Sequence, residues 1–116
     1  MRAVQILLVI EVAAFTLSTV PGVRAHEGFN TLLDGWLQGG AYVTAALLCV
    51  LRPIGVAADR GVWTWLAAAL VMRALAFVLY LGWVRLVRPP PYPSVADAGW
   101  LAMCLLVLVA LVALVR

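Results

Sequence analysis

Four long apolar stretches, separated by charged residues and prolines, constrain this chain more than any other feature of its sequence. They cover residues 3–20, 32–51, 62–84 and 98–115, and each contains 18 to 23 residues. A helix of about 20 residues crosses a hydrocarbon core of about 30 Å, whereas an isolated strand would leave its backbone polar groups unsatisfied in lipid. The sequence therefore predicts an all-α integral membrane protein. Four transmembrane helices form a small bundle, and residues 1–116 make up a single membrane domain.

The composition also indicates that a bilayer is the solvent. Apolar residues account for 66% and charged residues for 11% of the 116 positions, against roughly 45–50% and about 25% in soluble domains. A soluble chain of this length cannot bury so much apolar surface, so lipid is the expected partner. All 8 basic residues are arginines spread along the chain. This spacing gives no clustered basic face, and we expect no binding to nucleic acid.

Tryptophans and arginines predict how the spans are placed in the membrane. The five tryptophans lie near predicted span ends, which is typical of an interfacial aromatic belt: Trp36, Trp63, Trp65, Trp83 and Trp100. With the N-terminus inside, four arginines lie in the cytoplasm and three outside, namely Arg2, Arg52, Arg60 and Arg116 against Arg24, Arg85 and Arg88. The prediction is a multi-pass protein of the plasma membrane of a bacterium, with a cytoplasmic C-terminus.

The first span also has features of a secretory signal peptide. An arginine precedes the apolar run, and small residues precede a cleavage point after Ala25. The run is 18 residues long and carries Glu11 near its centre, whereas the apolar core of a signal peptide is typically about 7–15 residues. We favour a retained helix and keep the cleaved signal as the alternative. Cleavage would expose His26 as an N-terminal residue with a copper-chelating geometry, although the chain has no second histidine.

Glu11 and Arg73 are the two formally charged residues deep inside the predicted spans. Glu11 is the ninth residue of the first span and Arg73 the central residue of the third, so their depths match. An unpaired arginine at the bilayer centre costs about 2.5–3.5 kcal/mol, so Arg73 is expected to face the bundle interior, where Glu11 is the candidate counter-charge at its depth. In the alternatives, Arg73 reaches water while Glu11 is protonated, or the first span is removed.

The ionisable residues do not favour an enzyme. The chain has 5 acidic residues, 1 histidine and 2 cysteines, too few to predict a nucleophile with its base or a metal site with three ligands. We therefore predict no catalytic residue, no cofactor and no metal. Cys49 and Cys104 lie at different depths, which excludes a disulfide and favours a packing role for both.

Two local motifs predict how the helices meet. Gly35 and Gly39 form a Gly-x-x-x-Gly seam that allows close helix packing, with intrachain packing favoured over a homo-oligomer. Prolines between residues 89 and 93, Pro90 and Pro93 among them, predict a stiff corner before the fourth helix. The four residues that follow have the form of a capping box, in which Ser94 is the N-cap and Asp97 its partner.

Parts of the chain resemble a known family. The stretches at residues 33–37, 45–52 and 90–102, the last with the Pro-Tyr-Pro-Ser-Val-Ala-Asp corner, resemble the N-terminal membrane region of actinobacterial diguanylate cyclase and phosphodiesterase signalling proteins. The resemblance covers about residues 32–115 and implies a membrane input or anchoring module for a cytoplasmic signalling domain.

The resemblance does not carry over catalysis. The sequence contains no Gly-Gly-Asp-Glu-Phe or Glu-Ala-Leu motif, so no cyclase activity is implied. Ala76 and Phe77 also stand where the family often has a small-acidic pair, which leaves no sensing role for such an acid. The alternatives are a small transporter or channel subunit, because Arg73 lies in mid-membrane, and a structural subunit of a membrane complex.

Overall fold

The protein is described from a computed structural model, which covers residues 1–24 and 28–115. This part of the chain forms α1 (Arg2–Ser18), α2 (Gln38–Gly55), α3 (Arg60–Gly82) and α4 (Val95–Val115). A π-helical segment (Thr31–Leu37) leads into α2, and a 3₁₀ turn (Val84–Leu86) follows α3. No strand occurs in these ranges. The predicted all-α class is confirmed.

Three continuous helical stretches in the described residues are long and apolar enough to cross a membrane. They cover Thr31–Gly55, Arg60–Leu86 and Val95–Val115, with mean hydropathies of 1.3, 1.9 and 2.8. They correspond to the second, third and fourth predicted spans. Helix α1 has 17 residues and is therefore about 25 Å long at 1.5 Å per residue, shorter than a hydrocarbon core of about 30 Å.

Two helix ends differ from the sequence prediction. The first span was expected to reach residue 20, but α1 ends at Ser18. The Ser18 hydroxyl donates to the Phe15 carbonyl, and Pro21 cannot donate a backbone hydrogen bond, so both features favour termination. The second span was expected to end at Leu51. Helix α2 instead continues through Pro53 to Gly55.

The main contacts between helices follow the order of the chain. Helix α1 packs on the π-helical segment and α2, α2 packs on α3, and α3 packs on α4. The Cα atoms extend over 46 × 33 × 21 Å. The arrangement is therefore closer to a row of neighbouring helices than to the closed bundle predicted from four apolar spans.

Small residues allow α3 and α4 to approach closely. Ala69 and Ala76 on α3 are buried, as are Ala96 and Ala110 on α4. A Cβ atom added to Gly99 would lie 2.7 Å from the Ala76 Cβ, closer than two carbon atoms can approach. Membrane helices gain little from apolar burial alone, so this close contact is the main source of their packing energy.

The predicted glycine seam faces α3. A Cβ atom on Gly39 would lie 3.2 Å from the Phe77 ring, and one on Gly35 would lie 3.9 Å from the Leu81 side chain. The seam therefore lies against α3 of the same chain.

Candidate functional site

Arg73 and the side chains around it form a polar cluster inside the membrane helices. Arg73 lies at the midpoint of the 60–86 span. Its Nη2 donates a hydrogen bond of 2.8 Å to the Tyr42 hydroxyl on α2. Its guanidinium carbon lies 4.5 Å from the Tyr42 ring centre and 5.2 Å from the Trp100 ring centre on α4. One charged side chain therefore contacts α2 and α4 from α3.

Neighbouring side chains hold the two rings in place. Gln38 lies one turn before Tyr42 and donates from Nε2 to the same hydroxyl oxygen at 2.8 Å. The Phe77 ring meets the Tyr42 ring edge-on, with centres 5.2 Å apart. The Tyr80 and Trp100 rings lie 6.0 Å apart. These contacts restrict the rotamers of Tyr42 and Trp100, so the two rings are held in position around the Arg73 guanidinium.

The structure does not bring the predicted pair of Glu11 and Arg73 together. Glu11 Oε2 is buried and has no hydrogen-bond partner among the described residues, and its Oε1 lies 2.9 Å from the position of a Cβ atom on Gly40. Gly40 and Tyr42 are separated by about 200° around a helix. Because α2 lies between α1 and α3, matched depth in the sequence does not place the two charges next to each other.

A salt bridge connects the chain after α1 to the start of the π-helical segment. Arg24 donates to both carboxylate oxygens of Asp34, at 3.0 and 2.8 Å, and from Nε to the Ser18 carbonyl at 2.9 Å. Asp34 Oδ2 also accepts the Asn30 backbone N–H at 2.8 Å. This bidentate geometry is the stronger form of an ion pair. Sequence reasoning missed the pair, because the two residues lie 10 positions apart and no periodic pattern connects them.

The predicted capping box closes the proline corner. The Asp97 carboxylate accepts the Ser94 backbone N–H at 2.7 Å, and the Ser94 hydroxyl lies 3.4 Å from the Asp97 backbone N–H. Helix α4 begins at Val95, which makes Ser94 the N-cap. Pro90 and Pro93 lie exposed in the preceding turn. Pro90, Pro93, Ser94 and Asp97 thus end the connection between α3 and α4 and start α4. None of these described side chains belongs to the cluster around Arg73.

Three of the five tryptophans show two different environments. Trp36 and Trp83 are 78% and 53% exposed at the ends of their helices, as expected for interfacial anchors. Trp100 differs, because its indole nitrogen is buried and has no hydrogen-bond partner among residues 1–24 and 28–115. Its role is to pack against Arg73. A tryptophan at the sixth position of α4, already inside the helix, was the sequence signal for this role.

The remaining candidates add no chemistry to this cluster. Cys49 and Cys104 are both free thiols. The described residues contain no group of three or more His, Cys, Asp or Glu side chains that could hold a metal. The alternative cleavage point after Ala25, and His26, which such cleavage would expose, both lie outside the described residues.

The arrangement around Arg73 connects helices rather than supplying reactive groups. Arginine and tryptophan are hydrogen-bond donors only, and arginine stays protonated at physiological pH. The Tyr42 oxygen accepts two of the donated hydrogen bonds. Such a set fixes the positions of three helices around one permanent charge. No family model, curated protein or solved structure matches the chain, so this interpretation depends on the geometry alone.

Proposed function

We propose that the chain is a non-catalytic, multi-pass membrane module that senses or anchors on behalf of a cytoplasmic signalling partner. The capped proline corner at residues 89–97 carries this proposal. It is the most distinctive part of the resemblance to the membrane region of cyclic di-GMP signalling proteins. Its reciprocal hydrogen bonds between Ser94 and Asp97 support a fixed geometry at this position.

The packing supports a relay through connected helices. The corner joins α3 to α4, Gly99 lets these helices approach closely, and Arg73 contacts both α2 and α4. Packed helices respond to a perturbation by shifting as units, because close-packed interiors deform little. A displacement at the corner would therefore be transmitted along α3 and α4 to their opposite ends.

The proposal includes four spans and a cytoplasmic C-terminus in a bacterial plasma membrane. Helix α1 is the additional span. It is apolar over most of its length, and exposed side chains such as Ile6 and Val9 are suited to contact lipid. A bilayer accommodates a helix that is a few Å too short by thinning locally, at a modest cost.

Co-purification tests the signalling role. The tagged chain is isolated from its native membrane in mild detergent, and the isolate is assayed for synthesis and hydrolysis of cyclic di-GMP. We expect one of these activities to co-purify. Substituting Pro90 and Pro93 with glycine should retain the partner but change its activity, whereas Pro21→Gly should change neither. A folded chain that brings down neither activity contradicts the proposal.

A small transporter or channel subunit is the second candidate, because an arginine in mid-membrane often lines a polar path. The rings of Tyr42 and Trp100 against the guanidinium make such a path narrow. Solute or ion flux into liposomes that contain the purified chain separates the two functions. Flux that Arg73→Met abolishes would favour transport.

A further inference from the structure

An apolar groove runs between the C-terminal half of α3 and the opposing π-helical segment and first turns of α2. Its volume is about 610 Å³, within the roughly 300–1,000 Å³ typical of small-molecule sites. Gly39 and Gly40 line it from α2, and Phe77 and Val78 line it from α3. The side chains of Phe77 and Glu11 lie against Gly39 and Gly40, 3.2 and 2.9 Å from the positions that Cβ atoms would take there.

The groove opens toward the surroundings of the protein. Val43 and Val78 line it and are 54% and 60% exposed, and Trp36 at its end is 78% exposed. Between membrane helices this open side faces lipid. The groove therefore has the position and the lining to take an acyl chain from the bilayer.

A cation stands at the end of the groove where a lipid headgroup would lie. Arg85 lines the groove and follows the last residue of α3, Gly82, by three positions. Its guanidinium carbon lies 3.7 Å from the centre of the Phe29 ring. The Arg85 side chain forms neither a salt bridge nor a hydrogen bond with another described residue. Stacking on Phe29 holds the guanidinium plane, and its N–H edge donates to no other side chain or carbonyl among residues 1–24 and 28–115.

We propose that this groove binds an anionic phospholipid, with one acyl chain between α2 and α3 and the phosphate held by Arg85. Apolar lining alone does not select a lipid, because protein side chains and acyl chains are equally apolar. Selection comes from charge, since a guanidinium donates two parallel hydrogen bonds to phosphate and basic sites between membrane helices favour anionic headgroups. The proposal is independent of the signalling role.

Native mass spectrometry of the full chain in mixed micelles tests this site. The micelles contain equal amounts of phosphatidylglycerol and phosphatidylcholine, and the ratio of the two bound lipids is measured. We expect phosphatidylglycerol to be preferred about fivefold, because both lipids carry a phosphate but the choline ammonium of phosphatidylcholine offsets its charge beside Arg85. Arg85→Gln should bring the ratio close to one. Arg60→Gln is the matched control, because Arg60 is an exposed arginine at the other end of the same helix.

Filling the groove and adding a free anion distinguish a lipid site from a simple anion site and from a dimer contact. Val78→Trp should reduce binding of both lipids, because the indole occupies the groove from its exposed side. A preference that survives Arg85→Gln, or that Arg60→Gln removes equally, overturns the proposal. The proposal is also overturned if inorganic phosphate alone raises the thermal midpoint as much as the lipid does. If the chain forms a dimer that Val78→Trp dissociates and that lipid does not disrupt, the groove is instead the contact with a second copy.

Discussion

The Arg73 side chain is accommodated by neutral partners. An arginine at the bilayer centre costs about 2.5–3.5 kcal/mol on the insertion scale. A hydrogen bond to a charged group contributes about 1.5–3 kcal/mol, and a desolvated cation–π contact about 2 kcal/mol. The hydroxyl of Tyr42 and the rings of Tyr42 and Trp100 provide both kinds of contact. These terms have the same magnitude as the cost, so no carboxylate partner is required.

Tyr42→Phe tests this account at the residue scale. The substitution keeps the ring but removes the acceptor for Arg73 and Gln38. We expect a loss of about 1–3 kcal/mol in the free energy of unfolding, because buried donors lose their partner. Tyr80→Phe is the control, since the Tyr80 hydroxyl forms no hydrogen bond with another described residue. Thermal unfolding in detergent measures both, and equal effects would contradict the account.

Glu11 gives a second prediction at this scale. Because Glu11 contacts Gly40 on the side of α2 opposite Tyr42, its replacement should not affect Arg73. In a double-mutant cycle, Glu11→Gln and Arg73→Met should have additive effects within about 0.5 kcal/mol. Expression level and thermal stability in detergent provide the readouts. A coupling energy well above this value would show that the two residues pair in the membrane.

The start of α4 is set by one local hydrogen-bond pattern, so its prediction belongs to the scale of elements. Ser94→Ala removes the N-cap hydroxyl and should cost about 0.5–2 kcal/mol. Ser94→Thr retains a hydroxyl and should stay close to the original protein. An unchanged melting midpoint for the alanine variant would show that the cap does not stabilise α4. The assignment of the span would be unaffected.

The contact between α3 and α4 gives a sharper prediction. Gly99→Ala would place a methyl group 2.7 Å from the Ala76 Cβ, and overpacking of this kind costs about 1–3 kcal/mol. Gly61→Ala is the matched control, because nothing lies within 4 Å of a Cβ atom there and alanine favours a helix over glycine. The first variant should melt at a lower temperature and the second should not. The opposite order would remove the argument for close packing.

Local patterns in the sequence predicted the helices better than they predicted the side-chain cluster around Arg73. The spacing of Ser94 and Asp97 encodes its own hydrogen bonds within four residues. Hydropathy alone predicted four spans, three of which are helices long and apolar enough to cross a membrane. The hydrogen bond between Arg73 and Tyr42 joins residues 31 positions apart, so it depends on the rotation of two helices about their axes. Sequence periodicity does not determine that rotation when apolar residues surround the helix. The same ambiguity led to the pairing of Glu11 with Arg73.

At the scale of the whole molecule, α1 and α4 lie at the two ends of the row of helices, and α1 packs less extensively on its neighbours than α4 does on α3. Helix α3 has a neighbour on each side, whereas α1 packs on α2 and the π-helical segment. The salt bridge between Arg24 and Asp34 adds a link at one end of α1. Helix α1 is therefore the part of the molecule that depends least on the contacts around Arg73.

Cysteine labelling tests the orientation of the whole chain. In a background without Cys49 and Cys104, Ala57→Cys probes the connection between α2 and α3, and Tyr92→Cys probes the proline corner, where the side chain is 93% exposed. We expect a membrane-impermeant reagent to label position 92 and not position 57, because the arginine count places the connection at position 57 in the cytoplasm. Labelling of position 57 alone would reverse the topology.

The central position of Arg73 subjects the protein to the membrane voltage. A charge that crosses the whole membrane changes energy by about 2.3 kcal/mol per 100 mV, so a charge at mid-depth experiences about half of this. This electrical energy is smaller than the roughly 1.5–3 kcal/mol that a hydrogen bond to a charged group contributes. The Arg73 side chain should therefore keep its contacts when the voltage changes. Tyr42 and Trp100 should transmit the electrical force to α2 and α4.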